Sequence, residues 1–170
     1  MLEQVPRDTP LFFFDETSIH TWCVRAKTWS AEAQRVILPK QAKRSKNKTI
    51  LGAVGGIAND IRFVYSIADS TNTSSVIDFF KHFLRKVKYR KQILVVTDNH
   101  SAHHSKLVKL FMMQKEKRIK LTFLPAYSSV LSPQERVWSQ LKSLWSKNMS
   151  RISKAYDLDK FESDIELICA

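Results

Sequence analysis

Ile93-Leu94-Val95-Val96-Thr97 runs directly into Asp98. A continuous apolar, β-branched run of that length is too short for a self-burying helix and reads as a strand covered on both faces. A carboxylate at its end then sits at the carboxyl edge of a sheet, where ligands gather in open α/β folds. Leu11-Phe12-Phe13-Phe14 leads into Asp15 in the same way. In neighbouring strands, the two ends lie side by side.

The rest of the chain supplies a sheet for these strands. Thr49 to Ile57 is a second apolar run, interrupted by Gly52, Gly55 and Gly56. Asn59-Asp60 is a turn signal, and Ile61 to Ile67 completes a hairpin. From Thr73 to Val87 the period changes: Val76, Phe80, Phe83, Leu84 and Val87 form a helical stripe, with Ser or Thr available as N-cap. Lys106 to Lys117 reads as a helix and Lys120 to Leu124 as a short strand before Pro125. A helix starts at Ser132, with Val137, Leu141, Leu144 and Trp145 on one side, and a last helix is expected from Leu158 to Ile168. Residues 20–48 fit nothing regular. An opening antiparallel set followed by alternating helices and strands implies a mixed α/β sheet with helices packed on it. At 170 residues, this is one domain.

Twenty-eight Lys and Arg against sixteen Asp and Glu give a net charge of +12. Such a field attracts polyanions, and nucleic acid is the commonest. No apolar span of membrane-crossing length occurs, so no membrane partner is expected. Cys23 and Cys169 form neither a C-x-x-C pair nor a zinc-ligand spacing, which fits a reducing compartment. The first residues lack the order of a signal peptide. A cytoplasmic location is expected.

Glu135, one turn into the helix that starts at Ser132, is a third acid able to project toward the edge bearing Asp15 and Asp98. Converging carboxylates repel unless a cation neutralises them, and hard oxygen ligands suit Mg²⁺ or Mn²⁺. Each acid also has a plainer reading. An aspartate after a strand often just starts a turn. Ser132-Pro133-Gln134-Glu135 is a capping box, with Ser132 as N-cap and Glu135 at N3.

Longer stretches decide between these readings. Phe14-Asp15-Glu16-Thr17-Ser18 is followed by Val96-Thr97-Asp98-Asn99-His100-Ser101-Ala102-His103. Leu124-Pro125-Ala126-Tyr127-Ser128-Ser129-Val130-Leu131-Ser132-Pro133-Gln134-Glu135-Arg136-Val137-Trp138 comes third. In order and content these blocks resemble the three-acid (DDE) catalytic domain of the mariner transposase superfamily, in its bacterial insertion-sequence branch. Thirty-six residues separate Asp98 from Glu135, a spacing that suits this branch. The resemblance runs from about residue 10 to residue 147. The third block departs from the usual loop: Ser129 replaces a Pro, Ser132 an Asn and Gln134 an apolar Ile.

The resemblance implies an RNase H-like fold, a mixed sheet of about five strands flanked by helices, filling residues 1–170. It implies that Asp15, Asp98 and Glu135 are catalytic and hold two divalent ions, Mg²⁺ or Mn²⁺. The implied activity is metal-dependent cleavage at an element's ends and transfer of the freed 3′-hydroxyl into target DNA, usually at TA. Asn99 and His103 are auxiliary candidates, each with an equal alternative as loop cap or packing residue. Glu16 is expected to face solvent, with an auxiliary contact at the site as the alternative, and Trp138 to pack in the core. Trp29 is open between stacking on a base and packing. Arg35, Lys40, Lys43, Arg44, Lys46 and Lys48 are the best candidates for phosphate contacts. The clusters at Arg85–Lys91 and Lys115–Lys120 fit helix ends better. A homodimer is expected, because transposition joins two ends.

Family members usually carry helix-turn-helix domains ahead of this one, and the chain starts about ten residues before the first strand. A split reading frame and a truncated copy both fit that start. Two other functions use the same residues: a DNA-binding relic without activity, and a nuclease that cuts but never joins. A metallophosphatase ranks last, because three of the five histidines are bunched at 100–104.

Overall fold

The computed structural model describes residues 6, 8–20, 47–57, 60–125, 132–151 and 163. Five strands form one sheet: β1 (Leu11–His20), β2 (Asn47–Ile57), β3 (Asp60–Ala68), β4 (Ile93–Thr97) and β5 (Ile119–Phe123). Three helices accompany them: α1 (Thr73–Lys86), α2 (Lys106–Gln114) and α3 (Gln134–Arg151). The sheet order is β3-β2-β1-β4-β5. β1, β2 and β3 are antiparallel neighbours, while β4 and β5 run parallel to β1. This is the mixed sheet expected from the element order.

β1 has two different neighbours, and they explain its length. Its parallel pairing with β4 covers Leu11 to Phe14 and stops at Phe14↔Thr97. Its antiparallel pairing with β2 continues to His20↔Asn47. The strand was expected to end at Asp15. It runs five residues further because β2 supplies ladder partners for the polar stretch, which hydropathy alone reads as a turn. Gly55 and Gly56 of β2 have φ of 152° and 154°. At Gly55 a Cβ would collide with the Leu11 carbonyl, so only glycine allows this approach to β1.

The two faces of the sheet carry two cores. On one, Phe12, Phe14, Leu51 and Ala53 pack with Val76, Phe79, Phe80 and Phe83 of α1 and with Val108 of α2. Phe14 stacks on Phe79 at 4.7 Å, and Phe12 meets Phe83 edge-on at 5.0 Å. Each such burial is worth about 1.5–3 kcal/mol. On the other face, Ile19 and Ile50 pack with Trp138, Leu141 and Trp145 of α3. The α3 stripe is therefore 134-138-141-145 with Val137 packed beside it, and of the expected Val137, Leu141, Leu144 and Trp145 only Leu144 lies off it. Gln134 is buried and Leu144 is 48% exposed, because 100° per residue turns Leu144 off the face that Trp138 defines.

The smaller differences are local. Asn72, not Ser or Thr, caps α1, and its side chain and that of Ser75 form a reciprocal capping box. α2 stops at Gln114, three residues short of the expected end, because the chain must turn through Glu116 and Lys117 to enter β5. Arg118 donates to the carbonyls of Leu84 and Val87, closing the C-terminal end of α1. Of the last expected helix, residues 158–168, only Ser163 is described, and it is helical. No helix among the described residues is long and apolar enough to cross a membrane.

Candidate active site

Asp15 and Asp98 each follow directly on the last parallel pair, Phe14↔Thr97. The backbone ladder thus brings the two aspartates to adjacent positions at one edge. Alternation along β1 turns Asp15 toward the α3 face, where Trp138 Nε1 donates to Asp15 Oδ2 at 3.0 Å. That bond ties the start of α3 to β1. Glu135, one helical turn before Trp138, is exposed in the first turn of α3. Its backbone N–H donates to the Ser132 carbonyl at 3.4 Å.

The two aspartates have different environments. Burial pushes the Asp15 carboxyl up to about 6. Hydrogen bonds from the Glu16 backbone and the Trp138 indole oppose this, and the charges of Glu16 and Asp98 reinforce it. Asp98 is 54% exposed and held below the usual carboxylate range, first by its hydrogen bond with His103. The His100 backbone N–H also donates to Asp98 Oδ1 at 3.0 Å.

His103 is 1% exposed and lies between two acids. Its Nδ1 is 3.2 Å from Asp98 Oδ1, and its Nε2 is 2.7 Å from Glu16 Oε1. Burial pulls its pKa down, but the bonds to Asp98 and Glu16 outweigh this and raise it to about 9. At neutral pH both ring nitrogens are therefore N–H donors. Glu16 was expected to face solvent; its side chain is 10% exposed and faces inward. The signal was present in the sequence: with period 2, residue 16 follows Phe12 and Phe14 on the α1 face.

Asn99 and His104 hold the neighbouring loop. Asn99 Nδ2 donates to the Leu124 carbonyl at 2.8 Å, His104 Nε2 lies 3.2 Å from Asn99 Oδ1, and His104 stacks on Phe123 at 4.2 Å. This ties the residue after Asp98 to the start of the segment that leads to Glu135. Trp138, expected to pack in the core, does so and also touches the acid centre. Its N–H was the part that hydrophobic periodicity could not show.

Lys48 lies on β2, and its ammonium pairs with Asp69 at 2.7 Å. Trp29, Arg35, Lys40, Lys43, Arg44 and Lys46 lie outside the described residues.

The donor set at the edge consists of carboxylate oxygens, the chemistry that hard divalent cations take. A cation there would offset the cost of ionising Asp15 beside Asp98. Glu16, His100 and His103 also offer ligand atoms within 4.8 Å of one another. There, however, the His103 and Glu16 atoms are already bonded to each other. A cleft of about 580 Å³ between α2 and β5 reaches His103 from the α1 face, but its lining is largely aliphatic and aromatic.

The fold and the site together define a class. Residues 10–159 match the DDE superfamily endonuclease family, and the chain belongs to it. Among solved structures, a chain of the simian T-cell lymphotropic virus intasome in complex with PP2A regulatory subunit B56 gamma is similar. It has a TM-score of 0.63 and 13% identity over 95% of this chain and 47% of that one. The Mos1 mariner paired end complex with Mn gives 0.61 and 14%, over 98% and 49%. The HTLV-2 integrase catalytic core domain in complex with magnesium, in its dimeric form, gives 0.57 and 15%, over 95% and 85%. The chain therefore has the RNase H-like fold of transposase and integrase catalytic cores. It spans about half the length of the intasome and Mos1 chains. No curated protein sequence matches it.

Proposed function

We propose that this chain is the catalytic core of a mariner-superfamily DNA transposase, of the bacterial insertion-sequence branch. In this reading Asp15, Asp98 and Glu135 are the catalytic acids and hold two divalent ions, Mg²⁺ or Mn²⁺. The centre cuts DNA at an element's ends and joins the freed 3′-hydroxyl to target DNA. The observation that carries the reading is the register Phe14↔Thr97, which sets Asp15 and Asp98 side by side, with Trp138 of α3 hydrogen-bonded to Asp15.

Ions held there supply nucleophile activation and stabilisation of the leaving oxygen in phosphoryl transfer. The chain's own residues set the stage. Asp98 stays ionised and accessible because His103 neutralises it from beneath. Asp15 is oriented by the indole of Trp138. Asn99 holds the start of the Glu135 segment against the end of β4. Arg35, Lys40, Lys43, Arg44, Lys46 and Lys48 grip phosphates, Lys48 only by exchanging its bond to Asp69.

DNA ends, target DNA and a second copy of this chain are the proposed partners, and the bacterial cytoplasm the proposed location. Among the similar structures, Mos1 is in a paired end complex and the HTLV-2 integrase core is in a dimeric form. The test is Mn²⁺-dependent cleavage and joining on a pre-nicked DNA with a free 3′-hydroxyl, comparing the native chain with Asp98→Ala. Joining that disappears in the variant supports the transposase. Cleavage without joining points to a nuclease. Salt-sensitive DNA binding with no metal-dependent activity points to a relic.

A further inference from the structure

Gln134 is completely buried, and neither its amide nitrogen nor its amide oxygen has a hydrogen-bond partner. Among the described residues it is the one buried side chain left in this condition. Native proteins pair such groups almost without exception, so an unpaired one calls for a physical account. Packing does not provide one. Phe63, Trp138 and the Gln134 amide converge over Gly52, and a Met or Leu at 134 would pack on these rings without desolvating an amide.

Position does provide one. A Cβ on Gly52 would lie 3.0 Å from Gln134 Nε2, so the amide nitrogen sits directly over that glycine. Gly52 is the register partner of Asp15. Directly opposed residues on one face of an antiparallel pair have Cβ positions about 4.5–5.5 Å apart. The Asp15 carboxylate points to this same face, since Trp138 Nε1 reaches its Oδ2. Gln134 and Trp138 are four residues apart on α3 and so project together. One Asp15 oxygen is thus held by an indole, and an unused amide donor lies over the register partner of Asp15, on the same face.

We infer that Gln134 is a positioning residue for the acid centre: its amide N–H is the second donor to Asp15, taken up when the carboxylate turns to a bound divalent cation. Trp138 and Gln134 then fix the plane of the carboxylate from the α3 side and leave its remaining lone pairs to the cation. Outer partners of this kind commonly change metal affinity by about 10–100-fold. The inference rests on the reading of Asp15 as a cation ligand.

The experiment uses the full chain with Mn²⁺ and Mg²⁺ as probes. Mn²⁺ affinity and thermal unfolding of the metal-free protein are measured for the native chain, Gln134→Met and Asp98→Ala. Gln134→Met is expected to raise the Tm of the metal-free protein, by removing the unpaired amide, and to weaken Mn²⁺ binding about tenfold. A higher or lower Tm with unchanged Mn²⁺ affinity overturns the inference and leaves the metal centre standing. Native Mn²⁺ binding that is absent, or unaffected by Asp98→Ala, overturns the centre and the inference with it. A measurement on the native chain guards against a misfolded variant: the Gln134 side-chain amide protons should shift in the NMR spectrum on adding Mg²⁺. Unmoved resonances in a protein that binds Mg²⁺ also overturn the inference.

Discussion

The indole nitrogen of Trp138 lies 3.0 Å from Asp15 Oδ2, across 123 residues of sequence. The bond joins a helix to a strand, and it joins the α3 core to the acid centre. Packing and chemistry therefore share one side chain.

Separating the two roles needs Trp138→Phe, which keeps an aromatic ring on Phe63 and removes the N–H. The metal-free protein should lose about 1–2 kcal/mol. Metal-dependent cleavage should fall by roughly 10–100-fold. Urea unfolding and cleavage kinetics on the same preparation check both. An unchanged cleavage rate would make Trp138 a packing residue only.

Gly52→Ala should do related damage from the opposite side. The new Cβ would come 2.6 Å from Trp138 Cη2, 2.9 Å from Phe63 Cε2 and 3.0 Å from Gln134 Nε2. Overpacking of this kind costs about 1–3 kcal/mol. The strain should move α3, so Trp fluorescence and Mn²⁺ affinity should both change. Gly52→Ala with native Tm and native affinity contradicts this packing.

Asp15 ionises near 6 in the folded chain against 3.8 as its ordinary value. Folding is therefore opposed by its ionisation: the penalty is absent below about pH 4, grows as pH rises through 6, and is constant above. Its full size is about 3 kcal/mol at most. Metal-free Asp15→Asn should be more stable than the native chain at pH 8 and equal to it near pH 3.5. Mn²⁺ at pH 8 should stabilise the native chain and not the variant. Urea titrations at the two pH values provide the check.

Asn99→Ala removes the bond to the Leu124 carbonyl. Its effect should fall on the segment leading to Glu135 rather than on the aspartates. Cleavage is expected to drop while Mn²⁺ affinity stays within about twofold, as for a group that holds geometry without ligating. A large loss of affinity would instead put Asn99 at the cation.

His103 turns on two acids at once. Its pKa of about 9 against an ordinary 6.5 means that its ion pairs stabilise the fold fully below pH 6.5. The contribution is lost as pH rises through 9. Glu16→Gln should flatten that part of the stability curve, measured by thermal unfolding from pH 6 to 10.

The strands were legible because burial on both faces writes itself as continuous apolar runs. β4 appears in the sequence with its observed limits, Ile93–Thr97. The edge position of Asp98 follows from it directly. Asp15 was legible as a candidate for an incomplete reason: β1 does not end there, and only the change of partner from β4 to β2 makes that point an edge. The face of Glu16 was legible from its alternation with Phe12 and Phe14, but its partner His103 and the bond from Trp138 to Asp15 were not. Both are contacts across long sequence separations, and a single sequence carries no record of its pairings. Gln134 stood out in the sequence only as a polar residue in an apolar place; its burial belongs to the tertiary structure.

The alignment of Asp15 with Asp98 is made by main-chain hydrogen bonds between β1 and β4. Amino-acid exchanges along 11–14 or 93–97 that keep the core packed therefore leave the aspartates abreast. The vulnerability lies in length. Loss or gain of one residue within either run would send its aspartate to the opposite side of the sheet, since successive side chains alternate. This centre tolerates drift in spelling and is intolerant of a change in count.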